Sequence, residues 1–353
     1  MSGFSGWAGG HHTKDESKRQ LALMATQFSS PEKTKCLILN QQALVASPSI
    51  QIHQRERTAI VLMGNLFLST KGSHKRLALT PEEALDIYLN QGAQCLHTFK
   101  GQFGLCIVSE EHQEVLLVSD RAGTYPLYFS DAENHFIFGT HCSSLLRHMA
   151  LSTEIDPQSL YQYFYFHAIP SPYTLYKNIQ RVEPGHYILY RHQKWLSIPY
   201  WKPASFPKKP ASFQAAKQEL FEVLEASIQP YENKPYGAFL SGGLDSSTVL
   251  GMMTKVFQRP IDAFTMGFDQ DRYDESSYAV QAAKHFGARH HHFNLQADDL
   301  YLALPTIIQQ LDQPFGNASL IGAYFCSKMA HDKGMKGLLA GDGGDELFGG
   351  NSR

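Results

Sequence analysis

The sequence predicts two domains of different fold class: an α+β sandwich of antiparallel sheets, followed by an α/β domain built on a parallel sheet. Short runs rich in Val, Ile, Phe and Tyr, separated by turn residues, fill the first 200 residues. A segment rich in proline and lysine follows, and from residue 213 onward helical and strand-like runs alternate. We therefore place the domains at 1–200 and 213–353, with a linker at 201–212.

The first domain is predicted from strands interrupted by two helices. The helices, at 81–91 and 157–166, each begin with a proline that follows Thr80 or Asp156, and both residue types cap helices. Such strand runs with few helices are typical of an α+β sandwich. The predicted strands are 35–39, 59–68, 103–109, 114–119, 126–129, 135–139 and 186–191.

The second domain is predicted from a regular alternation of helix and strand. Its strands are short and continuously apolar, which indicates a parallel sheet covered on both faces by helices. The predicted helices are 212–229, 246–257, 276–286, 297–311 and 321–333, and the predicted strands are 237–240, 262–267, 290–294 and 336–340.

Composition narrows the classes of partner and the location. The chain has 353 residues and a formal net charge of −2, so there is no general basic field for nucleic acid or an anionic membrane surface. We find no run of 18 apolar residues and no signal-peptide pattern, so no membrane association is expected. The five scattered cysteines form no CxxC pair, which is typical of reduced thiols and favours a cytoplasmic location.

A glycine-rich loop carries the strongest chemical signal. The segment 239–247 reads Phe-Leu-Ser-Gly-Gly-Leu-Asp-Ser-Ser, follows a predicted strand and opens a helix, which is the setting of an anion-binding loop. Gly242 and Gly243 allow the backbone to approach an oxyanion closely. Asp245 would repel a phosphate directly, but it suits a Mg²⁺ ion placed between them. The hydroxyl donors of the loop are Ser241, Ser246 and Ser247. The plainer alternative is a glycine turn capped by serines.

A second glycine-rich segment follows the last predicted strand. Residues 339–350 read Leu-Ala-Gly-Asp-Gly-Gly-Asp-Glu-Leu-Phe-Gly-Gly. In an open parallel sheet this loop would emerge at the same edge as the first. Asp342, Asp345 and Glu346 offer oxygen ligands or a base. A solvated acidic turn is the alternative.

These two segments resemble the signature motifs of the asparagine synthetase family, which includes β-lactam synthetases and lasso-peptide cyclases. Upstream, residues 99–105 and 119–129 are similar to the "DGMFAF" and "DRFGIKPLYY" stretches of that family. The resemblance implies an N-terminal-nucleophile, glutaminase-like sandwich (a type 2 glutamine amidotransferase fold). It implies that an ATP-pyrophosphatase domain, similar to adenine nucleotide α-hydrolases, follows it.

The resemblance also implies the chemistry. A carboxylate substrate would attack the α-phosphorus of ATP to form an acyl-adenylate, and an amine or ammonia would then displace AMP. Asp245 and Asp345 match the Mg²⁺-binding positions, and Asp342 and Glu346 are candidate catalytic groups. The residues matching ATP or pyrophosphate contacts are Phe239, Leu240, Ser241, Gly242, Gly243, Asp245, Ser246, Met266, Ala340 and Gly341.

Departures from the family pattern bear on the nitrogen source. Glutamine-hydrolysing members carry a nucleophilic cysteine at position 2, whereas this chain has Ser2. The family's Asn-Gly-Glu turn is replaced by Met63, Gly64 and Asn65. We therefore expect an inactive glutaminase domain and an amine on the substrate, as in lasso cyclases and β-lactam synthetases, or free ammonia. A glutamine-hydrolysing asparagine synthetase that uses Ser2 as nucleophile stays open as the alternative.

The chain ends at Arg353, where family members continue into a long helical region. We therefore expect a truncated ATP-binding domain: a fragment, half of a split enzyme, or a decayed gene product. A homodimer or a partner that supplies the missing region would complete it. The hypothesis from outside the enzyme class is a non-catalytic protein that binds a nucleotide or a partner.

Two weaker features complete the candidates. His290, His291 and His292 are consecutive in a predicted strand, where side chains alternate between faces, so we expect a structural role rather than a metal site. We expect the same of His11 and His12. Asp274 and Glu275 are expected to cap a helix, with a second hypothesis of a role near the ATP pocket.

Overall fold

The computed structural model describes residues 2–69, 74–203, 212–268 and 276–350. The chain divides into two compact units: Met1–Pro207 with Leu311–Gly316, and Lys208–Gln310 with Asn317–Arg353. The assignment of Leu311–Gly316 to the first unit has no signal in the sequence pattern. Most of the predicted linker, and both Asp274 and Glu275, lie outside the described residues.

Within the described residues, the first unit contains the antiparallel strands and four α-helices. Its strands are β1 (Phe4–Gly9), β2 (Lys35–Ile38), β3 (Gln42–Ala46), β4 (Gln51–Arg55), β5 (Thr58–Ser69), β6 (Arg76–Ala78), β7 (Phe99–Ser109), β8 (Glu114–Ser119), β9 (Tyr128–Ala132), β10 (His135–Gly139), β11 (Gln180–Arg181), β12 (His186–Arg191) and β13 (Lys194–Pro199). Its helices are α1 (Lys14–Ala25), α2 (Pro81–Gln91), α3 (Cys142–Leu145) and α4 (Pro157–Phe166).

These strands form two sheets that pack face to face. The first has the order β11-β9-β10-β1-β3-β2, and the second has the order β13-β12-β8-β7-β5-β4, with β6 paired to β5. One apolar cluster draws on both sheets, for example on Phe4 and Phe138 of the first and on Val61 of the second. Because side chains alternate along a strand, Ile60 and Leu62 of β5 point the other way, into a cluster with Leu85 of α2. The predicted α+β sandwich is confirmed.

The two longest helices at the outer faces have local start signals. Thr13 and Glu16 form a capping box at α1, and Thr80 and Glu83 form another at α2. The buried face of α1 packs with Trp7 of β1 in a separate cluster. α2 was predicted from its cap and N1 proline, but α1 was not, although it carries the same Thr-x-x-Glu pattern.

The second unit alternates helix and strand as predicted. Its strands are β14 (Tyr236–Phe239), β15 (Asp262–Phe268), β16 (Arg289–Leu295) and β17 (Gly337–Leu339), and its helices are α5 (Phe213–Ile228), α6 (Leu244–Phe257), α7 (Ser276–His285), α8 (Ala297–Gln310), α9 (Ser319–Asp332) and α10 (Gly344–Phe348). The described strands pair in the order β16-β15-β14-β17, and every pair is parallel. The parallel-sheet prediction is confirmed.

Several elements of the first unit were not predicted from the sequence, namely β1, β3, β4, β6, β11, β13, α1 and α3. It also placed the strand at 126–129 about two residues early, since β9 begins at Tyr128. β1 has the sequence Phe-Ser-Gly-Trp-Ala-Gly, which is poor in β-branched residues. Pairing on both sides with β3 and β10 stabilises it as a central strand.

Within the described residues, none of the helices has both the length and the apolar character needed to cross a membrane.

Candidate functional site

The two glycine-rich loops leave neighbouring strands of the parallel sheet at the same edge. β14 pairs directly with β17, with Ala238 opposite Leu339. The first loop follows β14 and leads into α6, and the second follows β17 and leads into α10. Because both strands run in the same direction, the two loops begin side by side.

Two glycines of the second loop lie directly against Asp245 of the first. A Cβ atom added at Gly341 would lie 2.8 Å from the Cβ of Asp245 and 2.8 Å from the backbone nitrogen of Ser246. One added at Gly344 would lie 2.2 Å from Oδ2 of Asp245. Real Cβ atoms do not approach so closely, so a side chain at position 341 would press on backbone and Cβ atoms, whereas one at position 344 would require the Asp245 carboxylate to move. The contact places the Asp245 carboxylate against the backbone that carries Asp345.

Hydrogen bonds hold the first loop in a closed arrangement. The hydroxyls of Ser241 and Ser246 lie 3.0 Å apart. Ser246 Oγ also accepts from the Ser241 amide at 3.2 Å and donates to the Gly243 carbonyl at 3.2 Å. Ser246 is buried. These two serines, predicted as donors to a ligand, therefore also maintain the shape of the loop.

The start of α6 is open to a ligand. Its N-cap residue is Gly243, and within the described part of the chain no side chain caps this helix end. First-turn amides of a helix without such a cap carry partial positive charge that favours an anion. Gly242 has a φ of +90°, and a side chain there would collide with Tyr278 and Ala279 of α7. This glycine lets the loop pass close beneath the start of α7.

The neighbouring strand β15 supports the loop from behind. The Leu240 amide donates to the Phe264 carbonyl at 2.9 Å, and Thr265 Oγ1 donates to the Leu240 carbonyl at 2.6 Å. Phe239 and Met266, both predicted nucleotide contacts, pack against one apolar cluster between the sheet and α9. The side chains on which the loop rests are thus fixed by packing.

The predicted acidic residues divide into two groups. Asp245 and Asp345 are half-buried where the loops meet, whereas Asp342 and Glu346 are exposed on the second loop and α10. Ala340 is also exposed, at the end of β17. The structure therefore places the Asp245 carboxylate at the loop contact, with Asp345 following the contacting residue Gly344 in the chain, and leaves the two candidate catalytic groups facing solvent.

Ser2 belongs to the first unit, immediately before β1. It is exposed, and its hydroxyl accepts from Ser49 Oγ at 3.0 Å. The next residue, Gly3, donates its amide to the buried Ser47 Oγ at 2.8 Å. A side chain at Gly3 would collide with Thr140 and His141. The backbone around Ser2 is therefore held in place while its side chain stays accessible.

The histidines of β16 do not converge, as predicted. His290 contacts Thr265 Oγ1 at 2.8 Å, and His291 contacts the Asp262 carboxylate at 2.9 Å. His12, for which a structural role was expected, meets His135 and His148 in the first unit. Adjacency to His11 gave no signal for this, since the partners are distant in sequence.

Comparison with known families covers both units. The family model described as asparagine synthase matches residues 220–353, and the model described as a glutamine amidotransferase domain matches residues 53–201.

Individual relatives carry names of the same family. The chain is 32% identical over 279 residues to a Methanocaldococcus jannaschii protein named as a glutamine-hydrolyzing asparagine synthetase, covering 76% of this chain and 53% of that protein. It is 28% identical to glutamine-hydrolyzing asparagine synthetase 1 of Bacillus subtilis, with 80% and 45% covered. It is 26% identical to amidase chry2 of Gibberella zeae, with 76% and 42% covered. The chain spans about half the length of these relatives. With both motif loops side by side and both family models matched in order, the chain belongs to the asparagine synthetase family.

Proposed function

We propose that the second unit binds ATP between its two glycine-rich loops and activates a carboxylate for amide-bond formation. The observation that carries the proposal is the contact of Gly341 and Gly344 with Asp245, which at position 341 leaves no room for a side chain against the Asp245 backbone and Cβ. A loop contact this close brings backbone from two strands to one anion-binding edge. The function is thus an AMP- and pyrophosphate-forming carbon–nitrogen ligase.

The residues present fit a triphosphate with its divalent cation. The start of α6, which has no side-chain cap, suits phosphate oxygens. The carboxylates of Asp245 and Asp345 are the oxygen ligands that Mg²⁺ prefers. When bound there, Mg²⁺ would neutralise the charge that develops on a departing pyrophosphate. Phe239 and Met266 supply apolar surface for a base, and Ala340 and Gly341 supply backbone groups.

Other residues of the two loops would shape the nucleotide site and position the substrate. The hydrogen bonds of Ser241 and Ser246 hold the loop amides in position before a ligand arrives, so no reorganisation is needed at that moment. Asp342 and Glu346 face solvent, where an incoming carboxylate or amine would approach. We assign them to substrate positioning or proton transfer from the amine.

The nitrogen source divides the proposal into two candidates. In the first, an amine on the substrate or free ammonia attacks the activated carboxylate, because Ser2 replaces a cysteine nucleophile. In the second, Ser2 hydrolyses glutamine. The names of the M. jannaschii and B. subtilis relatives favour this second candidate, as does the exposed Ser2 hydroxyl on a fixed backbone.

Location and partners are also proposed. We assign the protein to the cytoplasm, since its five cysteines are unpaired and four of them are buried. We also propose that the chain associates with a second copy of itself or with a separate polypeptide.

Nucleotide binding is the first test, because it needs only the second unit. The full chain is titrated with ATP in Mg²⁺ and again in EDTA, beside Asp245→Ala and a control, Asp298→Ala, which removes an exposed carboxylate from α8. We expect Mg²⁺ to tighten ATP binding in the wild type and in the control, but not in Asp245→Ala. Equal Mg²⁺ dependence in all three proteins would contradict the metal role.

Two further measurements separate the candidates. Carboxylate-dependent exchange of pyrophosphate into ATP tests activation. Glutamate release from glutamine, lost in Ser2→Ala, would establish the second candidate, and its absence in the wild type would exclude it. If ATP binds but no carboxylate supports exchange, the chain acts as a nucleotide-binding protein.

A further inference from the structure

Three histidines from distant parts of the sequence meet at one end of the first sheet. His12 follows β1, His135 begins β10, and His148 follows α3. Antiparallel pairing of β1 with β10 sets Gly9 opposite His135, which brings the segment after β1 beside His135. Each histidine offers one ring nitrogen, and the three nitrogens all lie within 4.8 Å of one another.

The spacing of the nitrogens is close to that of a metal site. His12 Nε2 and His135 Nε2 lie 2.7 Å apart. In a tetrahedral zinc site with Zn–N bonds of about 2.0–2.1 Å, ligand nitrogens lie about 3.3 Å apart. The His12–His135 separation is shorter than that value and the other separations are at most 4.8 Å, so side-chain shifts of about 1 Å would allow all three to coordinate one ion.

His148 has a buried nitrogen that lacks a partner. Its side chain is 1% exposed, and its Nε2 has no hydrogen-bond partner among the residues that the structure describes. A buried polar atom without a partner is costly, and a bound ion is one of the standard explanations for such an atom. Its Nδ1 accepts a long hydrogen bond of 3.3 Å from the Ala150 amide. If Nε2 bound a metal ion, the ring proton would move to Nδ1 and this weak hydrogen bond would be lost.

The other nitrogen of His135 is arranged as in metal-binding histidines. His135 Nδ1 lies 2.8 Å from the Glu133 carbonyl, so Nδ1 donates its proton there. Nε2 is then left without a proton and directs its lone pair towards His12. Histidine ligands commonly donate their second ring N–H to a carbonyl in this way, which fixes the tautomer.

Burial keeps the ligands in the form that binds metal. Burial lowers the pKa of His148 to about 3, with smaller contributions from His135 and His12. Burial also lowers the pKa of His12, and the neighbouring His135 adds to this effect. A lowered pKa favours neutral imidazole, which is the form that coordinates a metal ion.

Close packing shapes the cluster. The ring of Trp7 is 1% exposed and lies edge-on to both His12 and His148, with centroid distances of 5.5 and 5.2 Å. Gly10 has a φ of +66°, and a Cβ atom there would lie 2.1 Å from His135 Nε2. The chain thus passes so near the His135 nitrogen that any side chain at position 10 would fill the space beside it.

We propose that His12, His135 and His148 bind one divalent transition-metal ion, with Zn²⁺ as the best match. Imidazole ligands suit zinc, and three of them leave a fourth position for water. The ion would tie together the end of β1, the start of β10 and the segment after α3. Ser2 lies at the opposite end of β1, about 20 Å away along an extended strand, so this site is separate from the N-terminal residue.

The test compares two ligand variants with a neighbouring control. The full chain, freed of metal by a chelator, is titrated with Zn²⁺ beside His12→Ala, His135→Ala and His11→Ala. His11 is exposed and outside the cluster, whereas His12 and His135 are half-buried, so their variants are expected to fold. We expect one ion per chain for the wild type and for His11→Ala. Affinity should fall at least about 10- to 100-fold in the other two.

Two readouts distinguish a built site from surface binding. Co²⁺ in place of Zn²⁺ should give the intense visible absorption of a tetrahedral site in the wild type, and His12→Ala should lose it. Zn²⁺ should also raise the thermal unfolding midpoint of the wild type and of His11→Ala, but not of His12→Ala.

The proposal has clear ways to fail. It is overturned if His12→Ala binds Zn²⁺ as tightly as the wild type, or if His11→Ala weakens binding equally. Zn²⁺ uptake without tetrahedral Co²⁺ bands also overturns it, since that pattern identifies binding by scattered surface histidines. If His135→Ala does not fold, the comparison of His12→Ala with His11→Ala decides alone. Circular dichroism of the metal-free variants shows which of them are folded.

Discussion

The two units differ in how far their functional residues are separated along the chain. In the second unit, each half of the candidate site is a continuous stretch, 239–247 or 339–350, carried on two paired parallel strands. In the first unit, the histidine cluster takes one residue from each of three distant segments. Parallel strands present the loops at their carboxyl ends at one edge, so a loop motif alone predicts where its site lies. An antiparallel sandwich has no such common edge.

The same difference appears in the secondary structure. The strands of the second unit alternate with helices, and each one was predicted, although β16 (Arg-His-His-His-Phe-Asn-Leu) is largely polar rather than continuously apolar as expected. In the first unit, β1 and α1 were missed, although β1 is an interior strand of the first sheet and α1 packs on a face of that sheet. Central antiparallel strands are stabilised by two neighbours and can tolerate residues of low β propensity, such as Gly6 and Gly9.

The largest expected effect comes from breaking the loop contact in the second unit. Gly341→Ala would push a methyl group into the backbone and Cβ of Asp245 at 2.8 Å, where neither loop has room to give. A misplacement of about 1 Å in a binding geometry can cost about 100-fold, and we expect ATP affinity to fall by about that factor. Asp298→Ala is the control, since it removes an exposed carboxylate from α8. Calorimetric titration measures both. Equal affinities in the two variants would remove the loop contact as the basis of the site.

One core substitution in each unit tests whether loss of packing affects ATP binding only in the second unit. Phe138 and Phe264 are both 0% exposed, so replacement of either by Ala should lower the free energy of unfolding by about 3–5 kcal/mol. Phe264 also lies in the strand that supports the nucleotide loop, through the bond of its carbonyl to the Leu240 amide. We expect Phe264→Ala to weaken ATP binding at a temperature where it is folded, and Phe138→Ala to leave it unchanged. Denaturant unfolding and ATP titration together test this. Equal loss of ATP affinity in both would contradict the local role of β15.

The smallest expected effect is electrostatic. Hydrogen bonds from Arg289, and to a lesser extent from His291, lower the pKa of Asp262 below its usual 3.8, against the opposing effect of burial. A lowered folded pKa means that the stabilisation is present above pH 3.8 and is lost as the pH falls through the folded pKa. Since the Arg289 side chain is 55% exposed, we expect Asp262→Asn to cost no more than about 1 kcal/mol at pH 7.

That cost should shrink near pH 3 and vanish at lower pH. Urea unfolding at pH 7 and pH 3 measures the difference, with Asp298→Asn as the exposed control. A cost for Asp262→Asn that is independent of pH would show that the carboxylate charge is not what stabilises β15 and β16.

Short-range patterns were enough to predict the fold class of both units and to locate the two loop motifs. Apolar periodicity, caps and glycine positions act over a few residues and can be read in order. The four strands and all helices of the second unit except the short α10 followed from such patterns, and the nucleotide contacts followed from the family resemblance.

Contacts between residues distant in sequence are visible only in the three-dimensional arrangement of the strands. The placement of Gly344 against Asp245 depends on the register of β14 with β17. The meeting of His12 with His135 depends on the pairing of β1 with β10. Strand register is set by packing across the whole sheet, so contacts between distant residues cannot be derived from local pattern.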